Sequence, residues 1–451
     1  MKFRVLAAVA VFGGAFCSAF GQLRIATYNV TNYNGGRVAE FQTIFYETYQ
    51  GRQFAPDVLL GQEFISQSAV NTFLNLLNTA PGSPGDWAAA PFIDGPDTDS
   101  AFFYRVTKVQ YLGTTIAALG STNTSDQPRN TYRYDFRPVG YTADSTTIAG
   151  YSVHLKAGSA SSDQSRRLVE TQRIRTNAEG LNPQWNFLIA GDFNIQASTQ
   201  TAYQEMVGSQ TNNAGRVFDP IKSPGNWNNT ATFKFIHTQD PQSGSGGMDD
   251  RFDQILLSAG LIDGTGMDYI GNPNATFSTS TWNDPNHSYR CWGNDGTSFN
   301  TGLNTTTNSM VSSSIANALV STAAPTGHLP VYLDMRVPPA IVSTQTIDFG
   351  IVPQGAVASK SFFVANSGNT AIWTPAGIAT LTYTMSASGP FTVPSGSFSD
   401  SAGGNLNNHT VTLDTSTPGI KLGTISIASN APDQPVRTIT VRARVFGKIN
   451  P

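Results

Sequence analysis

The sequence predicts a layered domain of mixed helices and strands, α/β or α+β, followed by an all-β sandwich. Three observations carry this. From about Leu23 to Arg336, short apolar strand-like runs alternate with helical patterns. Val337-Pro338-Pro339 then breaks the chain, and helical periodicity disappears beyond it. Finally, 42 Gly and 25 Pro in 451 residues call for many turns, while a hydrophobic fraction of 39% is too high for a disordered chain. At roughly 100–200 residues per domain, such a length accommodates two or three domains, each able to bury a core.

Taken in order, residues 1–21 read as a secretory signal peptide. Lys2 and Arg4 precede the apolar run Val5 to Phe16, and Ala19-Phe20-Gly21 places small residues before a cut at Gln22. The run is shorter than the ~20 residues a membrane span needs. Cys17 leaves with the peptide, so Cys291 stands alone and no internal disulfide is expected. No later segment reads as a membrane span, so the mature chain is expected to be secreted, with periplasmic or cell-surface retention as alternatives.

Strands are predicted at Leu23–Tyr28, Val58–Gly61, Ile148–Val153, Phe187–Ala190, Phe252–Leu257 and Leu329–Met335. Val70, Phe73, Leu74 and Leu77 mark one apolar helix face. A second helix begins near Ser162-Asp163, with Leu168, Ile174 and Ala178 inside and Arg166, Arg167, Arg173 and Arg175 largely outside. The stretch Asn272 to Asn308, rich in Asn, Thr, Ser and Gly, reads as a surface excursion or lid. Beyond a linker at 338–340, strand-like runs recur at Thr346–Phe349, Lys360–Ala365, Thr380–Met385, Thr410–Leu413, Gly423–Ala428 and Arg437–Val445. Asn366-Ser367-Gly368, Ser388-Gly389-Pro390 and Pro418-Gly419 supply turns between them, which is the pattern of a β-sandwich. The expected division is therefore 22–337 and 341–451.

The formal net charge is −3, so no bulk basicity announces a polyanionic partner, although a bound metal can supply local positive charge. The informative feature is where polar residues meet apolar strands. Asn29, Glu63, His154 and Asp192 end such runs, with Asn194 just beyond; Asp253 and His328 begin two others. If the latter strands run antiparallel to the former, all seven side chains meet at one sheet edge. Singly, Gly191-Asp192-Phe193-Asn194 reads equally as a turn, Glu63 as a helix cap and His154 as a core histidine. Together they suit a hard divalent ion such as Mg²⁺, which takes one or two carboxylates plus substrate phosphate and water. No cysteine cluster or HExxH supports a zinc site, and His237, His287 and His409 read as surface residues.

The ordered motifs Ala26-Thr27-Tyr28-Asn29-Val30, Pro56-Asp57-Val58-Leu59-Leu60-Gly61-Gln62-Glu63, Val153-His154-Leu155-Lys156, Gly191-Asp192-Phe193-Asn194, Arg251-Phe252-Asp253-Gln254-Ile255 and Gly327-His328-Leu329-Pro330-Val331 resemble the endonuclease/exonuclease/phosphatase superfamily. The resemblance implies a four-layer αββα sandwich and hydrolysis of phosphate esters with Mg²⁺, or Mn²⁺ or Ca²⁺ in its place. It casts Glu63, assisted by Asn29, as metal ligand, Asp192 as the group that activates water, and Asn194 as a phosphate-binding amide. His154 and His328 become the histidine pair, with Asp253 orienting His328; Arg137, in Arg137-Pro138, becomes a phosphate contact. One departure is Gly327, where the family pattern has Asp; Asp249 or Asp250 could stand in.

The tail, through Ile347-Asp348-Phe349-Gly350, Val364-Ala365-Asn366-Ser367-Gly368 and Ser426-Ile427-Ala428-Ser429-Asn430, resembles immunoglobulin-like domains of the Hydin and choice-of-anchor kind, which implies surface or matrix attachment. The function implied is a secreted extracellular nuclease. The alternatives are a sphingomyelinase-like or other small-molecule phosphodiesterase or phosphatase, and a non-catalytic binding or attachment protein. A groove lined by Arg105, Arg137, Arg166 and Arg167 would favour nucleic acid.

Overall fold

The computed structural model describes residues 22–447, and the signal-peptide segment with Cys17 lies outside them. Up to Val337 the described residues form strands β1 (Leu23–Tyr33), β2 (Val58–Phe64), β3 (Trp87–Ala89), β4 (Asp99–Arg105), β5 (Val109–Ala118), β6 (Thr131–Pro138), β7 (Ile148–His154), β8 (Asn186–Asp192), β9 (Val217–Phe218), β10 (Asp253–Ser258), β11 (Asp268–Tyr269), β12 (Arg290–Cys291) and β13 (Val331–Arg336). The helices are α1 (Val38–Tyr46), α2 (Gln67–Thr79), α3 (Ser161–Glu179), α4 (Thr201–Val207) and α5 (Ser313–Thr322). One sheet runs β11-β13-β1-β2-β4-β3, with β12 beside β13; the other runs β5-β6-β7-β8-β10-β9.

Side-chain alternation explains the layering. Leu23, Ile25, Val58 and Leu60 of the first sheet meet Leu188, Ala190, Ile255 and Leu257 of the second in a core between the sheets. The alternate residues Ala26, Tyr28 and Leu59 pack outward against Phe41 of α1, Phe73 of α2 and Ile315 of α5. On the other side, Tyr151, Ile189 and Leu256 pack on Ile174 of α3 and Tyr203 and Met206 of α4. Both strand faces are thus buried and the order is helix, sheet, sheet, helix. The α2 face falls where the periodicity put it, and Ser66, whose Oγ accepts from the Ala69 N–H at 3.1 Å, starts that helix.

Three expectations are corrected. Arg167 and Arg175 of α3 are buried, because their guanidinium groups satisfy backbone carbonyls: Arg167 donates to Lys156 O and Gly158 O, and Arg175 to Glu205 O, Gly208 O and Asn212 O. The 272–308 stretch is stitched into the body and is not a lid. Tyr289, Cys291 and Trp292 are buried, β12 pairs with β13, and Asn294 and Asn308 donate side-chain amides to the carbonyls of Lys234, His237 and Gly293. His237, His287 and His409 are likewise buried, each with a ring nitrogen on a neighbour: Met248 O, the Tyr269 hydroxyl and the Tyr383 hydroxyl.

After Val337 come β14 (Ile341–Ser343), β15 (Thr346–Pro353), β16 (Ser359–Asn366), β17 (Leu381–Ala387), β18 (Phe391–Thr392), β19 (Ser397–Asp400), β20 (Asn407–Leu413), β21 (Gly419–Ser429) and β22 (Val436–Phe446). They make two sheets, β14-β16-β20-β18 and β15-β22-β21-β17-β19, around Phe362, Val364, Val411, Ile425 and Val441. The junction is tied down. Val337 N–H donates to Gly377 O at 2.9 Å, Tyr141 donates its hydroxyl to Pro338 O, and Asp433 accepts from the Thr142 and Ala143 N–H groups.

Candidate active site

The alternation that builds the core also aims the polar residues. On β1, Ile25 faces the opposite sheet, so Asn29 does too; Leu188 and Ala190 set the phase for Asp192, and Ile255 and Leu257 set it for Asp253. His154 shares the phase of Ile148 on β7. Strands β1 and β2 run parallel, as do β7 and β8, whereas β13 is antiparallel to β1 and β10 to β8. Ends and starts therefore converge at one edge, with Asp253 directly opposite Asp192 and His154 at its other side.

Glu63 breaks the phase. Following Val58, Leu60 and Gln62, it should face the helical layer. Its φ of 64° and the register shift between Gly61 and Phe64 turn it back to the edge. Gly61 permits this, since a Cβ there would lie 2.6 Å from the Phe64 ring.

The seven predicted residues form one cluster around Asp192. Its Oδ2 accepts from Asn29 Nδ2 at 3.1 Å and lies 3.5 Å from the Nε2 atoms of both His154 and His328. Its Oδ1 accepts the Asn194 N–H at 2.9 Å. Glu63 Oε1 accepts from Asn29 Nδ2 at 2.9 Å and lies 3.8 Å from His154 Nε2, while Oε2 accepts the Asn32 N–H at 2.8 Å. His328 Nδ1 pairs with Asp253 Oδ2 at 2.7 Å. Asn194 is anchored through Nδ2 to Leu155 O at 3.1 Å, which leaves its second amide hydrogen for another acceptor.

These neighbours separate the two histidines. Burial alone would lower the His328 pKa, but Asp253, Asp192 and Glu63 outweigh it and raise the value to about 10. His154 is held well below the ordinary histidine value, chiefly by burial and further by Arg129 and His328. Burial pushes Asp192 up to about 6; Asp253 and Glu63 add to this and His328 opposes it. Near neutral pH the site thus holds an imidazolium, a neutral imidazole and a carboxylate of raised basicity.

Arg137 is not brought to the site. Strand β6 is antiparallel to β7, with Phe136 opposite Ile148, so Arg137 lies at the far end, bonded to Gln110 Oε1 and Thr142 O. Nor do the other arginines line a groove: Arg105 is paired with Asp86 and Asp57, Arg166 donates to Asp126 O, and Arg167 is buried. A cation whose charge reaches the site is Arg129, just ahead of β6. Its Nη2 holds Asp97 at 3.1 Å, and its Nη1 is buried without a partner. The strand-start rule that located Asp253 and His328 would have found it.

Gly327 is required by packing. A Cβ there would lie 2.4 Å from Thr31 Oγ1 and 2.7 Å from Ala323 Cα, so no aspartate fits. Of the proposed substitutes, Asp250 stands nearer the histidine: Gln239 bridges both Asp250 and His328, and burial raises this carboxyl to about 6 with His328 opposing.

The donor set fits a hard cation. Glu63, Asp192 and Asp253 set three carboxylates around one imidazolium, Asp253 Oδ1 is buried without a partner, and no sulfur is present at the edge. Among the described residues, no group of three or more His, Cys, Asp and Glu forms a ready cage. Of the two predicted ligands, Glu63 has one hydrogen-bond donor on each carboxylate oxygen, which leaves lone pairs for a cation. Asn29 turns its nitrogen to the carboxylates, and its oxygen accepts the Thr31 N–H at 3.0 Å.

A layered α/β body with an acid–amide–histidine edge is the class that fold and site define. No family model and no curated protein matches the sequence. Solved structures that resemble the chain include D. rerio TDP2 complexed with single strand DNA product, 14% identical over 70% of this chain and 99% of that one, TM-score 0.38. SmcL is 13% identical over 70% and 99%, TM-score 0.41. An endonuclease/exonuclease/phosphatase from Beutenbergia cavernae DSM 12333 is 12% identical over 93% and 99%, TM-score 0.34. These neighbours are endonuclease/exonuclease/phosphatase-fold proteins, at a similarity too low to speak for chemistry.

Proposed function

We propose that the chain is a metal-dependent phosphodiesterase, and that nucleic acid is its substrate class. The observation that carries this reading is the convergence of Glu63, Asp192, His154 and the His328–Asp253 pair on one point between the sheets. Glu63, with Asn29 beside it, would hold Mg²⁺, or Mn²⁺ or Ca²⁺, which when bound neutralises charge on the phosphate. Asp192, more basic than an ordinary carboxylate, takes a proton from the attacking water. As the water oxygen bonds to phosphorus, the ester P–O bond breaks. His328, kept cationic by Asp253, donates its Nε2 proton to the departing oxygen, and Asn194 offers an amide hydrogen to the phosphate. His154, neutral, accepts or donates one hydrogen bond beside Asp192.

Arg129 favours nucleic acid, since its charge is felt at His154 and adds to the attraction of a phosphate backbone. Ile65, 47% exposed two residues beyond Glu63, is the feature that would favour contact with a lipid surface in a sphingomyelinase-like reaction. In this reading residues 22–337 carry the chemistry, 1–21 direct secretion, and 341–451 form an immunoglobulin-like attachment unit. Duplex DNA, RNA and sphingomyelin are incubated with the protein, with and without chelator. DNA or RNA is cleaved, cleavage stops with chelator, and Mg²⁺ restores it. Cleavage of sphingomyelin alone would move the substrate class to lipid; no cleavage with Mg²⁺, Mn²⁺ or Ca²⁺ would leave a binding protein.

A further inference from the structure

Arg37 belongs to none of the motifs read from the sequence, yet one of its nitrogens spans the backbone beneath Glu63 and Asn29. Nη2 donates to Val30 O at 2.9 Å and to Thr31 O at 2.8 Å, and Nη1 donates to Thr322 O at the end of α5. Each of the first two carbonyls shares a planar trans peptide with the next N–H, which points the opposite way. Those N–H groups, of Thr31 and Asn32, are the ones that donate to Asn29 Oδ1 at 3.0 Å and Glu63 Oε2 at 2.8 Å. Thr31 and Asn32 are both left-handed, with φ of 54° and 46°, a conformation L-residues adopt only when held. The guanidinium is itself fixed over the rings of Tyr33 and Phe41, 5.7 and 5.5 Å from their centroids.

We infer that Arg37 is a positioning residue for the metal side of the site: by clamping two successive peptide planes it sets the amide of Asn29 and the carboxylate of Glu63. Its third hydrogen bond ties the same turn to the end of α5, whose next residue, Ala323, backs Gly327 and hence the approach to His328. A lysine cannot replace it, because one ammonium lacks the planar fork that holds several carbonyls at fixed angles.

The inference rests on the phosphodiesterase reading, so its test includes a readout independent of turnover. Mn²⁺ binding to the full chain is followed by electron paramagnetic resonance for wild type, Glu63→Gln, Arg37→Met and Arg37→Lys, alongside thermal unfolding, kcat and KM. Wild type binds Mn²⁺ and Glu63→Gln does not. Arg37→Met, still folded, binds about 10-fold more weakly and loses kcat with KM within twofold, as expected of a hydrogen-bonding group acting through other residues. Should Arg37→Met fail to fold, Arg37→Lys is expected to show a smaller loss of the same kind. A folded Arg37 variant with wild-type Mn²⁺ affinity and kcat overturns the inference and leaves the phosphodiesterase reading intact. A wild type that binds no Mn²⁺ and cleaves nothing overturns both.

Discussion

Replacing Asp253 by Asn removes the charge behind His328 and leaves the shape of the site. The carboxylate lies 2.7 Å from His328 Nδ1, is fully buried, and leads the contributions that raise this histidine from 6.5 to about 10. That net rise corresponds to roughly 5 kcal/mol in favour of the imidazolium, left after Asp253, Asp192 and Glu63 have offset the cost of burial. An Asp253 share of about 2–3 kcal/mol, the range for a hydrogen bond to a charged group, lowers kcat about 10²-fold. The pH dependence has a definite sign. A raised folded-state pKa gives stability that is present below pH 6.5 and lost as pH rises toward about 10; the folded enzyme itself keeps the proton it donates until pH approaches about 10. In the Asn variant, burial draws the His328 pKa down, so the alkaline limb of the rate profile moves toward neutral pH. Initial rates on bis(p-nitrophenyl) phosphate between pH 6 and 10, with melting curves to establish folding, measure both effects. A kcat within threefold of wild type together with an unmoved alkaline limb would refute the role of the pair.

Arg129→Met is expected to lower kcat/KM about 10- to 100-fold, the worth of a charged hydrogen bond, while Arg137→Met stays within twofold; the reverse ranking in steady-state kinetics defeats the reassignment. Gly327→Asp should cost about 1–3 kcal/mol through overpacking and leave metal half-saturation no tighter; a variant that melts like wild type and binds metal more strongly contradicts the contact with Thr31 and Ala323. His237 is buried and lowered to about 4, chiefly by burial, so its share of stability is present above pH 6.5 and is lost as pH falls. Urea unfolding should show wild type losing about 3 kcal/mol more than His237→Gln between pH 6.5 and 4, and parallel losses would exclude this histidine.

Much of the site was legible because it obeys a local rule. Asn29, His154, Asp192 and Asp253 continue the two-residue phase of their strands, and that phase is written in neighbouring Leu, Ile and Ala. Strand direction was less legible: Arg137 reads as a phosphate contact from its motif, although its strand runs antiparallel to its neighbour and carries it to the far end. Arg167 and Arg175 look like surface residues because the carbonyls that bury them belong to other segments of the chain, a loop after β7 and the end of α4 with the turn beyond it. Gly327 reads as a missing acid until Thr31, nearly three hundred residues earlier, is seen to fill the space. The clamp by Arg37 leaves no periodic trace at all, since its partners are backbone carbonyls.

Cys291 has a bearing on how the molecule can be handled. Its thiol is buried against Ile236 O and pushed up to about 12, mainly by burial, so it resists oxidants and alkylating agents and forms no bridge. The scaffold is held by apolar layers and arginine–carbonyl contacts, neither of which depends on redox potential. Once folded, the molecule should therefore tolerate reductant and oxidant alike, since Cys291 is the free, buried cysteine among the described residues.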